Sequence, residues 1–161
     1  MKIRQGFVSN SSSSSFVVAF PSIPKSSDDV HRILFNNDKK FNIEQYDRHL
    51  ESSKASNIVY DAIKNQNVND KNAIIESIGN GWFDGKPEME KFKNSKGNVD
   101  WNAYEEASNK KALKIANKFI KDNKDAKIYV FSFSDNDGDD GVVMEHGEIF
   151  NNLPHIQTSY H

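Results

Sequence analysis

Two stretches of this sequence carry side chains able to do chemistry. Near the N-terminus, Ser9, Ser11, Ser12, Ser13, Ser14 and Ser15 place a run of hydroxyls between Phe7 and Phe16. Towards the C-terminus, Asp135, Asp137, Asp139 and Asp140 are followed by Glu145, His146, His155 and His161. Hydroxyls can bind anions, accept modification or, with a neighbouring base, act as nucleophiles. Carboxylates with imidazoles can hold metal ions or move protons.

Oxygen-rich turns take Ca²⁺ or Mg²⁺, and Asp135, Asp137 and Asp139 have the alternate spacing with which an EF-hand loop begins. The rest of that pattern is missing. Asp140 stands where such a loop needs glycine, and His146 where it needs a bidentate glutamate. A solvated hairpin turn uses the same Asp, Asn and Gly and is the simpler reading. For the histidines, the helical His-Glu-x-x-His spacing is absent. If Val142 to Glu145 is a strand, Glu145 and His146 point to opposite faces and share a site only across a bulge. The preferred expectation is therefore no cofactor. The alternative is a divalent metal held by Asp135, Asp137, Glu145, His146 and His155 in a phosphodiesterase-like hydrolase.

Serine tracts bury little apolar surface, so composition alone suggests a flexible segment. Phe7, Val8 and Phe16 bracket the run with groups that favour burial, which points to a serine-rich loop tied down at both ends. Such a loop presents hydroxyls and backbone N–H groups to an anion or partner, and Arg4, Ser9, Asn10, Ser11, Ser12 and Ser13 are the candidate binding residues. The run lacks the Gly-Lys-Ser/Thr of a phosphate loop and the glycines of a dinucleotide fingerprint. No base for a nucleophilic serine is assignable from sequence, so no catalytic residue is expected.

The opening Arg4-Gln5-Gly6-Phe7-Val8-Ser9-Asn10 and the serines through Phe16 resemble the start of a set of uncharacterised bacteriophage and bacterial proteins. Glu145-His146-Gly147 and the terminal His161 are similar to the close of some of its members. The resemblance implies a phage or mobile-element origin and brings no activity, and the central part of the chain has no part in it.

The composition narrows the partners. Lys and Arg number 21 against 23 Asp and Glu, a formal net charge of -2, so bulk electrostatic coating of nucleic acid is not expected. Arginine occurs only at Arg4, Arg32 and Arg48, and lysine is the poorer reader of phosphates and base edges. There is no cysteine, which excludes thiolate catalysis and disulfides. The N-terminal stretch lacks the apolar core of a secretory signal, and Phe16 to Phe20 is too short to cross a membrane. The expected location is the cytoplasm, that of a bacterial host if the gene belongs to a phage.

The elements that must carry these residues are legible in outline. Phe16 to Phe20 reads as a buried strand ending at Pro21. Ser26, Asp28 and Asp29 open a helix that buries Val30, Ile33 and Leu34. Asn42 with Gln45 has capping-box spacing and predicts a short helix through Leu50. Further helices are predicted over Ser56 to Lys64, Asp70 to Ile78 and Trp101 to Lys121, the last capped by Asp100. Trp82 to Asn98 reads as a loop with a helical turn at Glu88 to Phe92. Lys127 to Ser134 is a strand, Asp135 to Gly141 its turn, Val142 to Glu145 the partner strand, and His155 to Tyr160 a last strand.

Residues 1–161 are thus expected to form a single α+β domain. An antiparallel sheet combines the N-terminal strand with a C-terminal hairpin and last strand, and the central helices pack on one face. The favoured function is a small phage-type accessory protein that binds a host or phage macromolecule, most simply an unidentified protein. Exposed aromatics such as Trp82, Phe83 and Trp101 suit that role. A virion-associated structural protein is a further alternative. Nothing in the sequence bears on oligomeric state.

Overall fold

A computed structural model describes residues 12–36 and 39–160. Arg4, Ser9, Asn10, Ser11 and His161 lie outside them. The architecture is α+β: β1 (Ser13–Phe20), β4 (Lys127–Ser134) and β5 (His155–Tyr160) form one antiparallel sheet in the order β4-β1-β5. The N-terminal strand is therefore central, flanked by strands from the far end of the chain. β1 begins at Ser13 rather than Phe16, so the serines expected in a loop are sheet residues from Ser13 to Ser15.

The alternation of β1 divides the molecule into layers. Phe16, Val18 and Phe20 join Tyr129, Phe131 and Phe133 of β4 in one core. That core is covered by α1 (Ser27–Phe35), α2 (Ser52–Lys64) and α5 (Gly138–His146). Val17 and Ala19 face the other way and pack with Ile74 and Ile78 of α3 (Lys71–Asn80) and Ala112 and Ala116 of α4 (Trp101–Asp122). Helices thus cover both faces, not one. A strand buried on both sides must be apolar at every position, which explains the unbroken run Phe16 to Phe20.

Local capping chemistry sets the helix starts. Ser26 accepts from the Asp29 N–H, Asp70 from those of Asn72 and Ala73, and Asp100 from that of Ala103. A 3₁₀ turn at Met89–Phe92 stands where the helical turn is predicted.

Two segments depart from expectation. Asn42 to Leu50 is no helix: β2 (Asn42–Gln45) and β3 (Arg48–Glu51) form a hairpin that buries Ile43 against Leu50. Its two turn residues, Tyr46 and Asp47, have φ of 49° and 59°, the left-handed pair that a two-residue hairpin demands. Val142 to Glu145 is no strand, and the C-terminal hairpin of the expected sheet is absent; β5 takes the second place beside β1. Asp135–Asp137 forms a 3₁₀ turn, and α5 follows from Gly138. Asp139 and Asp140 favour the positive end of this helix. They also pair with Arg48 at 2.8 Å and Lys54 at 2.7 Å, which ties α5 to the hairpin and to α2. Val143 and Met144 gain full burial as a helix, and this outweighs the β preference of two adjacent valines.

Candidate functional site

The helical conformation of α5 brings together residues that a strand would have kept apart. β1 directs its even-numbered serines towards α5 and its odd-numbered ones towards α3. The Ser12 hydroxyl lies 3.0 Å from Glu145 Oε2, 3.3 Å from His146 Nε2 and 3.4 Å from Asp135 Oδ2. Ser14 donates to the other carboxylate oxygen of Glu145 at 3.2 Å. Neighbouring residues on a helix differ by about 100° in direction, so Glu145 and His146 reach the same point. Their side chains approach to 3.4 Å.

Burial grades the cluster. The Glu145 side chain is wholly buried, whereas that of His146 is 29% exposed and opens the site to solvent. Tyr46 of the hairpin turn sets its ring edge-on to His146 at 5.4 Å. Ser134 donates to the Ser12 carbonyl at 3.0 Å, and the Asp135 N–H reaches the same oxygen at 3.2 Å. Asp135 Oδ1 is buried with no hydrogen-bond partner among the described residues.

Chemically, a hydroxyl with a carboxylate and an imidazole at hydrogen-bond range is a nucleophile with a base in place. The sequence alone assigned none. Of the expected metal-binding residues, the fold gathers Asp135, Glu145 and His146 around Ser12. Asp137 is exposed at the start of α5. His155 pairs with Val18 while Ser13 pairs with Tyr160, which puts His155 about 17 Å along the sheet from the cluster. Among the described residues, no three His, Asp or Glu side chains are arranged to hold a metal ion. Of the expected binding serines, Ser12 is in the cluster, and Ser13 projects from the other face of the sheet. Ser14 was not singled out by the sequence, because nothing local marks which serine of a run meets a partner 131 residues away.

A second feature lies at the sheet's edges. The outer edge of β4 is sealed at Ile128 and Val130 by polar groups standing in for a strand, while Ser132, the next outward position, has no backbone partner there among the described residues. Gln66 donates to the Val130 carbonyl at 3.0 Å and accepts from its N–H at 2.8 Å. Asn69 accepts from the Ile128 N–H at 2.8 Å through its side chain and donates its own N–H to the Ile128 carbonyl at 2.9 Å. Among the described residues, the outer edge of β5 is closed only at Ser159, where Trp82 exchanges both backbone hydrogen bonds, at 2.7 and 3.2 Å. A Cβ on Gly81 would collide with Thr158, so glycine is what allows this approach. By strand alternation, the N–H and C=O groups of His155 and Gln157 also point outward. They have no partner among the described residues. Beside them the Trp82 side chain is 61% exposed, over a cleft of about 420 Å³ lined by Asn80, Lys86 and Tyr160. Trp101 is likewise exposed, at 53%, but Phe83 is a core residue at 3%.

No family model matches this chain, and no curated protein or solved structure matches it either. Among the described residues, no helix is long and apolar enough to cross a membrane.

Proposed function

We propose that the protein acts by binding a protein partner, which adds an extended segment to the open edge of β5 and packs against Trp82. The observation that carries this reading is the contrast between the two edges of one sheet. Unpaired strand edges invite association, and proteins blunt those they do not use. Among the described residues, the β4 edge is sealed at Ile128 and Val130, while the outward backbone groups of His155 and Gln157 have no partner and stand beside an exposed tryptophan. Strand addition supplies affinity through main-chain hydrogen bonds and specificity through side-chain pockets. A large aromatic ring next to a cleft is the kind of anchor that dominates interface energetics. The near balance of charge favours such a partner over a polyanion.

Gln157→Pro tests the reading. It removes an outward N–H and leaves the backbone bonds to β1 in place, at the loss of the long 3.4 Å contact from the Gln157 side-chain amide to the Ser14 hydroxyl, and proline is tolerated at such edge positions. Proteins crosslinked to the wild-type chain in cells should fall about tenfold with Gln157→Pro and again with Trp82→Ala, at unchanged melting temperature. A crosslinked set indifferent to both substitutions would remove the edge from consideration.

A further inference from the structure

We propose that the cleft between α1 and α2 binds a small, soluble phosphomonoester that also carries hydroxyl groups, of the sugar-phosphate type. The inference is independent of the β5 edge. It rests on which groups line the cleft and on how the fold has already engaged them. The cleft has a volume of about 360 Å³, within the range of small-ligand sites. Asp28, His31 and Arg32 of α1 line it together with Ser53 and Ser56 of α2, and Lys40 joins them from the segment ahead of β2.

Hydrogen bonds inside the protein fix what these groups can still do. Ser52 is wholly buried; its Oγ accepts from the Phe41 N–H at 3.1 Å and lies 2.9 Å from His31 Nε2. A buried hydroxyl proton without an acceptor is costly, and the Phe41 N–H cannot take it. The proton therefore goes to His31 Nε2, and the neutral ring carries its own on Nδ1. Nδ1 has no partner among the described residues, which leaves an N–H donor on a ring that lines the cleft. Arg32 is held by Asp29 one turn back through a single nitrogen, so its guanidinium keeps donors on the others. Lys40 adds a second fixed positive charge, and Ser53 adds a hydroxyl.

Donors thus outnumber acceptors around the cleft. The oxygens of a phosphate dianion only accept, and arginine meets them with paired, charge-assisted hydrogen bonds that orient as well as bind. The remaining acceptors are of another kind. Asp28 is a carboxylate, and the Ser56 hydroxyl already donates its proton to the Ser52 carbonyl at 2.7 Å, so it offers lone pairs alone. Neither can serve a phosphate, and both suit ligand hydroxyls. A bare inorganic anion would leave Asp28 unanswered, whereas a phosphate on a hydroxylated carbon skeleton satisfies both sets.

The test is NMR titration of the nitrogen-15-labelled full chain, at fixed pH and ionic strength, with glucose 6-phosphate, ribose 5-phosphate and glycerol 3-phosphate. Inorganic phosphate and glucose are titrated in parallel. At least one phosphomonoester should shift the amides around the cleft and the His31 ring nitrogens, saturating with a Kd of about 1 mM or tighter. Inorganic phosphate and glucose should each bind about tenfold more weakly or worse. Arg32→Ala and Lys40→Ala should each weaken the phosphomonoester about tenfold at unchanged melting temperature, since both side chains are exposed. Asp28→Ala should narrow the preference over inorganic phosphate. Lys121→Ala, on α4 across the sheet, should leave binding unchanged. Three results would overturn the proposal. One is no saturable shift at the cleft with any of the phosphomonoesters up to about 10 mM. Another is inorganic phosphate binding as tightly as the best of them. The last is an equal loss in Lys121→Ala and Lys40→Ala, the mark of unspecific attraction to surface charge.

Discussion

Ser12 and Glu145 stand 133 residues apart in the sequence and meet at 3.0 Å. The contact joins the start of the central strand to the last turn of α5, and it gives a wholly buried carboxylate one of its two serine donors, the other being Ser14. It therefore has a structural consequence whether or not it has a chemical one. Glu145→Ala strands the Ser14 hydroxyl without its acceptor and leaves a cavity, at a cost of about 2–4 kcal/mol in unfolding free energy. Glu145→Gln keeps the shape and part of the hydrogen bonding and should cost about 1 kcal/mol. Urea denaturation measures both, and an alanine variant as stable as the wild type would mean that the contact contributes nothing.

The β2–β3 turn offers the opposite sign. Tyr46 and Asp47 both hold left-handed backbone, which non-glycine L-residues adopt at a cost of roughly 1 kcal/mol each. Replacing the pair by Asn-Gly, the preferred sequence for this turn, should stabilise the protein by about 1 kcal/mol, less what the ring of Tyr46 contributes against His146. A denaturation midpoint that falls instead would show that the aromatic contact is worth more than the backbone strain.

Two glycines should respond differently to alanine. A Cβ on Gly141 would overlap the Ser134 carbonyl oxygen and crowd Asp137, so α5 must shift away from the end of β4. The expected loss is about 1–3 kcal/mol, with a change in the environment of His146 visible in its NMR chemical shifts. Gly79 in α3 has room, its nearest atoms being Asn109 Oδ1 at 3.5 Å and Ala112 Cβ at 3.7 Å. Gly79→Ala should leave stability unchanged or raise it by up to about 1 kcal/mol through helix propensity.

Sealing of the β4 edge can be undone with one substitution. Gln66→Ala removes both partners of Val130 and should cost about 1–2 kcal/mol. The freed edge should also promote self-association, read as a steeper rise in sedimentation coefficient with protein concentration than the wild type shows. A variant that stays monomeric at every concentration at which the wild type does would show that Asn69 alone protects the edge.

Where local chemistry and burial agree, the elements are legible in the sequence. Lys127–Ser134 and His155–Tyr160 are strands at their predicted limits, and the helix capped by Asp100 ends one residue beyond its prediction. Capping side chains and a long apolar stripe specify such segments before anything packs on them. Short segments with mixed signals are another matter. Asn42 with Gln45 satisfies a helix cap on paper, yet pairing Ile43 with Leu50 across a left-handed turn buries both. Val142 and Val143 prefer strand locally, yet as a helix the segment buries Val143 and Met144 against the sheet. In each case a few tenths of a kcal/mol of local preference yields to the larger gain of apolar burial.

By itself, then, the sequence determined an α+β chain with the strands of its main sheet at the two ends and the helices largely between, because cap and periodicity signals act within a few residues. It also determined which side chains could do chemistry. Only the tertiary structure decided which of them meet. Ser12, Asp135, Glu145 and His146 converge because α5 is helical and β1 is central, whereas His155 is carried away along β5. Contacts across more than a hundred residues leave no local signature, since they depend on which surfaces remain to be buried once the short-range choices are made.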